Sequence, residues 1–400
     1  MNLEGTVLRP TQKLASGRVR RFVLPDRKTR IIQITTFCPD IIGPGPTHLY
    51  LVESEILILL DTGMPTGLAK HFFFDARSQT IPPDIRALPD DYSKQELLEG
   101  LRLAGYYIKD IDLLILSHGH PDHFLMGRWI TDQARCPVTA HALDSSEICN
   151  PWGMLERWFY MRSLTMAMGM PQPKGVKDSS NSYFEKISGQ YVGLSPGLSF
   201  PITREGRLRL NGSLLKNIEV KHIPGHSPGS IGLIIGPKGT ERVLLCGDVL
   251  LSPITPHPDN LLTYLRTLEK IKNLNDISLT LPAHGKAIRN VKARATFLQK
   301  YHRKRLEMTY RRCKKPCSIW DIATLPGYFD IPVNPSKFNP LAGSEALMHV
   351  EILQMVQGLK RVDIKKGVHF FQNQGEPFEE VYGRVLKMVK DKNISPIMRY

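Results

Sequence analysis

Three imidazoles and a carboxylate fall within six residues at His118-Gly119-His120-Pro121-Asp122-His123. The spacing is H-x-H-x-D-H. Imidazole nitrogen and carboxylate oxygen are both good ligands for a divalent ion, with bonds of about 2.0–2.2 Å to zinc. In an extended turn, His118 and His120 can point to one side while Asp122 and His123 serve a second ion close by. The apolar run ahead of the motif, Ile111-Asp112-Leu113-Leu114-Ile115-Leu116, reads as a buried strand. The motif then occupies the loop where that strand ends, a usual place for catalytic groups. A polar loop with fortuitous histidines is the plain alternative, and the rest of the chain argues against it.

The elements that must position these groups repeat one pattern: apolar strand, then Asp or His, then a turn. Ile56-Leu57-Ile58-Leu59-Leu60 runs into Asp61-Thr62-Gly63. Alone, Asp61 would be turn chemistry; beside the motif it is placed to orient a metal-bound histidine or water. The alternating strand Ile218 to Ile223 ends at His226, within Pro224-Gly225-His226-Ser227-Pro228-Gly229. Val243-Leu244-Leu245-Cys246 leads into Gly247-Asp248, and Ile277 to Leu281 ends at Pro282-Ala283-His284-Gly285. A further strand, Cys136 to Ala140, ends at His141, which reads as structural.

This order of ligand types resembles the metallo-β-lactamase superfamily over about residues 30–290. The resemblance implies an α/β fold, a four-layer αββα sandwich with its metals at one edge of the two sheets. It implies that His118, His120 and His226 bind one ion, that Asp122, His123 and His284 bind the other, and that Asp248 bridges them. It makes Asp61 the family's supporting aspartate, and Asp122 and Asp248 the groups that hold the attacking water between the two ions. Zinc suits this set of N and O donors, and Mn or Fe would also bind. Class B1 β-lactamases carry Cys where this chain has Asp248, and Cys246 lies two residues too early to substitute. The diiron reductases of the superfamily carry Glu in place of His120. No β-CASP-type insert of RNase J-like nucleases is evident. These departures point to a dinuclear hydrolase similar to the hydroxyacylglutathione hydrolases.

The chain has 400 residues, 42% apolar and 23% charged, which suits a soluble globular protein of two domains. Residues 1–290 are expected to form the catalytic domain. Ser93-Lys94-Gln95-Glu96 has the form of a capping box opening a helix from Leu97 to Ala104, stopped by Gly105. Residues 152–200 are rich in Met and aromatics: Trp152, Met154, Trp158, Phe159, Tyr160, Met161, Met166, Met168 and Met170. They read as a helical insert, as a lid taking an apolar part of the substrate, or as both. A helix is expected over about 260–271.

The net charge of +15 permits anionic ligands. The last hundred residues hold 17 Lys and Arg against 10 Asp and Glu, with basic runs at Tyr301–Arg305 and Arg311–Lys315. Ser318 can cap a short helix to Leu325; Glu345 to Leu359 reads as a second; Arg361–Ile364 and Val368–Phe371 flank a hairpin turn. This order is similar to the winged-helix appendage (α+β, residues 291–375) of the superfamily branch holding a lactamase-like endoribonuclease and acyl-carrier thioesterases. Residues 376–400 read as a final helix. The six scattered cysteines fit a reducing cytosol, and Cys313-Lys-Lys-Pro-Cys317 is too little for a metal site. No secretory signal or membrane span is expected, so the location is read as cytoplasmic. The preferred reading is hydrolysis of a thioester, ester or lactone with an anionic carrier or acid group, such as coenzyme A. Cleavage of single-stranded RNA is the second reading, and a non-catalytic metal-binding sensor the third. A homodimer is compatible with all three.

Overall fold

The computed structural model describes residues 5–40, 44–74, 80–150, 164–172 and 193–395. The chain divides into two compact units. The first comprises Met1–Gly153, Glu185–Pro256 and Leu274–Val291; the second comprises Met154–Phe184, His257–Asn273 and Lys292–Tyr400.

The first unit is built on two sheets. One has eight strands in sequence order: β1 (Thr6–Arg9), β2 (Val19–Val23), β3 (Arg30–Thr36), β4 (Thr47–Glu53), β5 (Leu57–Leu60), β6 (Leu113–Ile115), β7 (Val138–His141) and β8 (Phe200–Ile202). Pairing is antiparallel as far as β5 and parallel from β5 to β8. The other sheet runs in the order β13-β12-β11-β10-β9, formed by β9 (Gly206–Leu210), β10 (Ser213–His222), β11 (Ile231–Ile235), β12 (Arg242–Leu245) and β13 (Ile277–Leu281). The sheets share one core. Phe22, Ile31, Val52, Ile58 and Ile115 of the first pack with Ile218, Val220, Leu233, Val243 and Leu279 of the second. Each such side chain contributes about 1.5–3 kcal/mol when fully buried. Strands buried on both faces read as continuous apolar runs, which is why β5 and β6 are uninterrupted.

Among the described residues after β5 come α1 (Thr66–Phe73), a single helical turn at Pro83–Arg86, and α2 (Tyr92–Ala104). Helix α2 lies on β3 so closely that a Cβ on Gly100 would sit 2.6 Å from Ile34. Gly105 ends it in the left-handed conformation, φ 91°. The start differs from the capping-box reading. The helix begins at Tyr92 after Asp91, and Ser93 and Glu96 are buried inside it. Ser93 Oγ bonds Thr66 Oγ1 at 2.7 Å, and Glu96 accepts from Phe37 N at 2.7 Å and Ser16 Oγ at 2.5 Å. The two polar side chains tie the helix to its neighbours instead of capping it. Helix α3 (Gly127–Ala134) precedes β7.

The second unit contains α4 (Leu261–Lys272), which lies between β12 and β13 in sequence and is capped by the Asn260 side chain on Thr263 N. Then come α5 (Val291–Arg312), β14 (Cys317–Ser318), α6 (Ile319–Ala323), α7 (Pro340–Met355), β15 (Leu359–Lys365), β16 (Val368–Asn373) and α8 (Phe378–Lys390). Strands β14-β16-β15 form an antiparallel sheet. Ser318 caps α6, with the Asp321 carboxylate returning to Ser318 N. Helix α7 starts at Pro340, five residues before the sequence reading, because Asn339 caps it and Pro340 suits the first helical position. Met168 and Met170 are buried in this unit and Met166 is exposed. Trp152, Met154, Trp158, Phe159, Tyr160 and Met161 lie outside the described residues. Among the described residues no helix is long and apolar enough to cross a membrane.

Candidate metal centre

Strands β5, β6, β10, β12 and β13 all end at one edge of the first unit, and each ending delivers a polar group. After β6, His118 lies in a loop, His120 immediately precedes the next helical turn, and Asp122 and His123 sit in that turn, Pro121–Phe124. The extended turn read from the sequence is therefore helical in its second half; Pro121 at the first helical position sets it. The turn still separates the two pairs of ligands.

Three overlapping groups result: His118, His120 and His226; His118, His123 and Asp248; and Asp122, His123 and His284. Within each, the candidate ligand atoms lie within 4.8 Å of one another. His118 Nε2 is 3.0 Å from His120 Nδ1 and 3.2 Å from His226 Nε2. Asp248 Oδ2 stands between the groups, 3.5 Å from His123 Nε2, 3.6 Å from His226 Nε2 and 3.5 Å from His284 Nε2. All seven side chains that the resemblance implies as ligands meet here.

The surrounding bonds fix which nitrogen faces inward. Asp61 accepts from Ser117 N on Oδ1 and from Ser117 Oγ on Oδ2, each at 2.7 Å, and from His123 Nδ1 on Oδ2 at 3.0 Å. Because Ser117 Oγ spends its hydrogen on Asp61, it accepts from His118 Nδ1 at 3.0 Å. His284 Nδ1 donates to the carbonyls of Gly45 and Pro46 at 3.1 Å. His118, His123 and His284 thus turn Nε2 toward the centre, the usual way protein groups orient metal-binding imidazoles. Asp61 holds this position at φ 63°, in the left-handed region. That conformation costs about 1–3 kcal/mol and its bonds to Ser117, His123 and Ile115 O hold it there.

Buried polar atoms are left over at the centre. His123 Nε2, His284 Nε2 and Asp248 Oδ1 have no aligned hydrogen-bond partner. His284 Nε2 is 3.2 Å from Asp122 Oδ2, near enough for charge pairing but not aligned as a hydrogen bond. Such orphaned atoms are costly unless a cation takes them, and the donor set of five imidazoles and two carboxylates fits two divalent ions. Electrostatics agree. Burial pushes His118 well below the ordinary imidazole range, helped by His123, His120 and His226. Burial also acts to lower His123, but Asp122, Asp248 and Asp61 raise it well above that range. Burial opposes ionisation of Asp122 and Asp248, yet neighbouring imidazoles hold Asp122 at about 2 and Asp248 well below the carboxylate range. Protons on the carboxylate side stand where metal charge would stand, so metal binding releases them.

Residues 42–284 match the Metallo-beta-lactamase superfamily. The chain belongs to that superfamily. It is 24% identical over 269 residues to the probable metallo-hydrolase YqjP of Bacillus subtilis (strain 168), covering 64% of this chain and 72% of the relative. Among solved structures, a metallo-beta-lactamase family protein, TTHA1429 from Thermus thermophilus, aligns with TM-score 0.63 at 20% identity, covering 86% of this chain and 98% of that one. A beta-lactamase domain protein from Burkholderia ambifaria aligns with TM-score 0.61 at 21% identity, covering 90% and 97%. Their likeness extends the shared fold beyond the superfamily match.

The superfamily motifs do not mark one residue the structure brings forward. Asp144, buried just after β7, accepts from Gly119 N at 2.8 Å and Ser227 Oγ at 2.6 Å on Oδ2, and from Gly229 N at 2.6 Å on Oδ1. It clamps the His118–His120 loop to the His226 loop. Gly229 approaches so closely that a Cβ there would meet the Asp144 carboxylate at 2.6 Å. No spacing rule in the sequence signals this role. His48 and Tyr50 on β4 were also unmarked: His48 Nε2 donates to Gly285 O at 2.9 Å and Tyr50 Oη to Pro282 O at 2.6 Å, fixing the loop that carries His284. Burial lowers His48 to about 4, keeping the ring neutral with Nδ1 as acceptor for Thr35 Oγ1. His141 lies outside the groups, stacked on His222 at 4.0 Å.

Proposed function

We propose that this protein is a metal-dependent hydrolase with two divalent ions, most simply zinc, acting on a thioester, ester or lactone that carries an anionic group. The observation that carries the reading is the convergence of seven ligand side chains with orphaned buried atoms at one sheet edge. His118, His120 and His226 would hold one ion, Asp122, His123 and His284 the second, with Asp248 shared. When bound, the ions supply Lewis acidity and make water a nucleophile near neutral pH. The chain's part is to orient and to exclude. Asp61, Ser117 and the Gly45 and Pro46 carbonyls hold the imidazoles rigid; Asp122 and Asp248 present anionic oxygens that accept hydrogen bonds from an attacking water. The buried walls strengthen each of these contacts. A thiolate leaves without a protein acid, which favours thioesters. Asp248, at the position where class B1 lactamases carry Cys, supports a site similar to the hydroxyacylglutathione hydrolases.

The order helix, strand, helix, helix and two strands in α5–β16 supports the winged-helix reading of residues 291–375, which we retain as part of this proposal. Its basic runs speak less for RNA than their sequence suggests. Arg305 is buried and paired with Glu345; Arg303 pairs with Glu379 at 2.5 Å and Arg311 with Glu307 at 2.5 Å. Cations already paired release fewer counterions on binding phosphate. The deciding experiment is turnover of coenzyme A and glutathione thioesters, aryl esters and lactones by zinc-loaded protein, with Asp248→Ala as blank. Turnover above the blank supports the reading. A protein that holds two ions yet cleaves none of these, and does cleave single-stranded RNA, overturns it.

A further inference from the structure

Cys313 and Cys317 look unrelated to chemistry in the sequence, and the fold brings them together. Cys313 follows the last turn of α5 and Cys317 opens β14. Their Sγ atoms are 3.1 Å apart as thiols, and both residues are buried. The chain between them, Lys314-Lys315-Pro316, is exposed. Both ends are anchored: Asn373 N donates to Cys313 O at 2.8 Å, and Cys317 pairs with Phe371 in the sheet. A disulfide of about 2.05 Å needs the sulfurs to close by only about 1 Å.

We propose that Cys313 and Cys317 form a redox-active dithiol, a modification site for hydroperoxides in the second unit. The hydrogen bond between the two sulfurs stabilises a thiolate on one of the pair, and its neighbour is placed to resolve. One thiolate attacks a peroxide oxygen; the O–O bond breaks, giving a sulfenic acid and, with a proton, water. The neighbouring sulfur then attacks the sulfenic sulfur; the S–O bond breaks, the neighbour's proton leaves with the hydroxide as water, and the S–S bond forms. In sum, two thiols and one hydrogen peroxide give one disulfide and two waters, with two electrons passing from sulfur to oxygen. Access runs by local opening of the exposed three-residue loop. The bond staples the end of α5 to the β14-β16-β15 sheet.

The test uses the full chain, exposed to hydrogen peroxide until half of an added N-acetylcysteine standard is oxidised, then acid-quenched, denatured and alkylated. Trypsin cuts after Arg312 and Lys314, so the two cysteines fall on separate peptides. The expected product is those peptides joined, lighter by two hydrogens, and separated by dithiothreitol. In Cys313→Ser or Cys317→Ser the remaining cysteine has no resolving partner, and its sulfenic acid is trapped as a dimedone adduct. Full alkylation of both cysteines in the peroxide-treated wild type overturns the proposal, whether or not either variant folds.

Discussion

Among the described residues, a buried cluster of histidine and charged side chains lies in each unit, and only that of the first unit has the make-up of a ligand site. In the second unit, His302 Nδ1 meets His349 Nε2 at 3.2 Å, as close as the imidazole pairs at the metal centre. Burial drives both rings well below the ordinary imidazole range. His349 Nδ1 donates to Glu345 O at 2.6 Å, so its Nε2 accepts from His302 Nδ1. Arg305 is bonded to Glu345, Tyr301 Oη and Tyr328 O, and Thr309 to Tyr328 Oη. One acceptor, His302 Nε2, is left without a partner. At the metal centre, two unpartnered imidazole nitrogens and a carboxylate oxygen converge, and the ligand groups contain no Lys or Arg. In the second cluster the carboxylate is already spent on Arg305, and among the described residues no third ligand atom closes on the histidine pair. Burial of histidine is therefore not the mark of a metal site. Convergent imidazole and carboxylate atoms with no Lys or Arg to pair them are.

The largest effect that could break this comparison is at Asp248. Asp248→Ala removes the carboxylate that we propose the two ions share. Activity should fall about a thousandfold or more, since metal ions supply several kcal/mol of transition-state stabilisation. Bound metal should fall with it while the circular dichroism stays that of the folded protein. Wild-type turnover in this variant would mean that the reacting site lies elsewhere.

Arg305→Met is the matching change in the other cluster. It strands the Glu345 carboxylate in a buried site, a loss of about 3–5 kcal/mol. Pairing it with Glu345→Leu should recover most of that loss, because apolar replacement of a whole buried pair is often neutral. Metal per folded chain, measured by elemental analysis, should not change in either variant. A fall in metal content would make the second cluster part of the metal-binding machinery.

Asp144→Asn tests the clamp between the two histidine loops. The amide keeps one acceptor and presents N–H groups toward Gly119 N, Gly229 N or Ser227 Oγ. Metal affinity should fall by about 10–100-fold, as for other groups that orient ligands. The loss should centre on the ion held by His118, His120 and His226. Affinity within twofold of wild type, by competition with a chelating dye, would reduce Asp144 to a loop fastener.

The contrast also explains which parts of the chain were legible as sequence. Ligands at the metal centre sit at strand ends, and each strand is a short apolar run closed by a polar residue and a turn, so motif and scaffold are read together. Asp144 was not legible because its bonds cross from one loop to two others, and no local spacing records them. Helix α5 went unread for a related reason. Buried His302, Arg305 and Thr309 occupy positions where an amphipathic helix would show apolar residues, so its stripe is broken. Ser93 and Glu96 carried a true local signal, and tertiary contacts with Thr66, Phe37 and Ser16 took both side chains away from the helix end.

Glu96 supplies the smallest and sharpest test of the rule. It is a buried carboxylate held by hydrogen-bond donors, with the Arg9 charge only a lesser influence on it. Burial raises it from 4.5 to about 7, against the pull of Ser16, Phe37 and Tyr92. The unfolded chain gives up this proton near 4.5 and the folded chain near 7, so the folded state binds more protons between them. Stability is then full below about 4.5, falls as pH rises toward 7, and is level above, with a slope of at most about 1.4 kcal/mol per pH unit from this one group. Glu96→Gln keeps an acceptor for Phe37 N and cannot ionise. Urea unfolding at a series of pH values should show that part of the slope gone and the variant gaining relative to wild type as pH rises. An unchanged slope would mean that Glu96 stays ionised through its hydrogen bonds alone, and that a buried carboxylate here needs no cation at all.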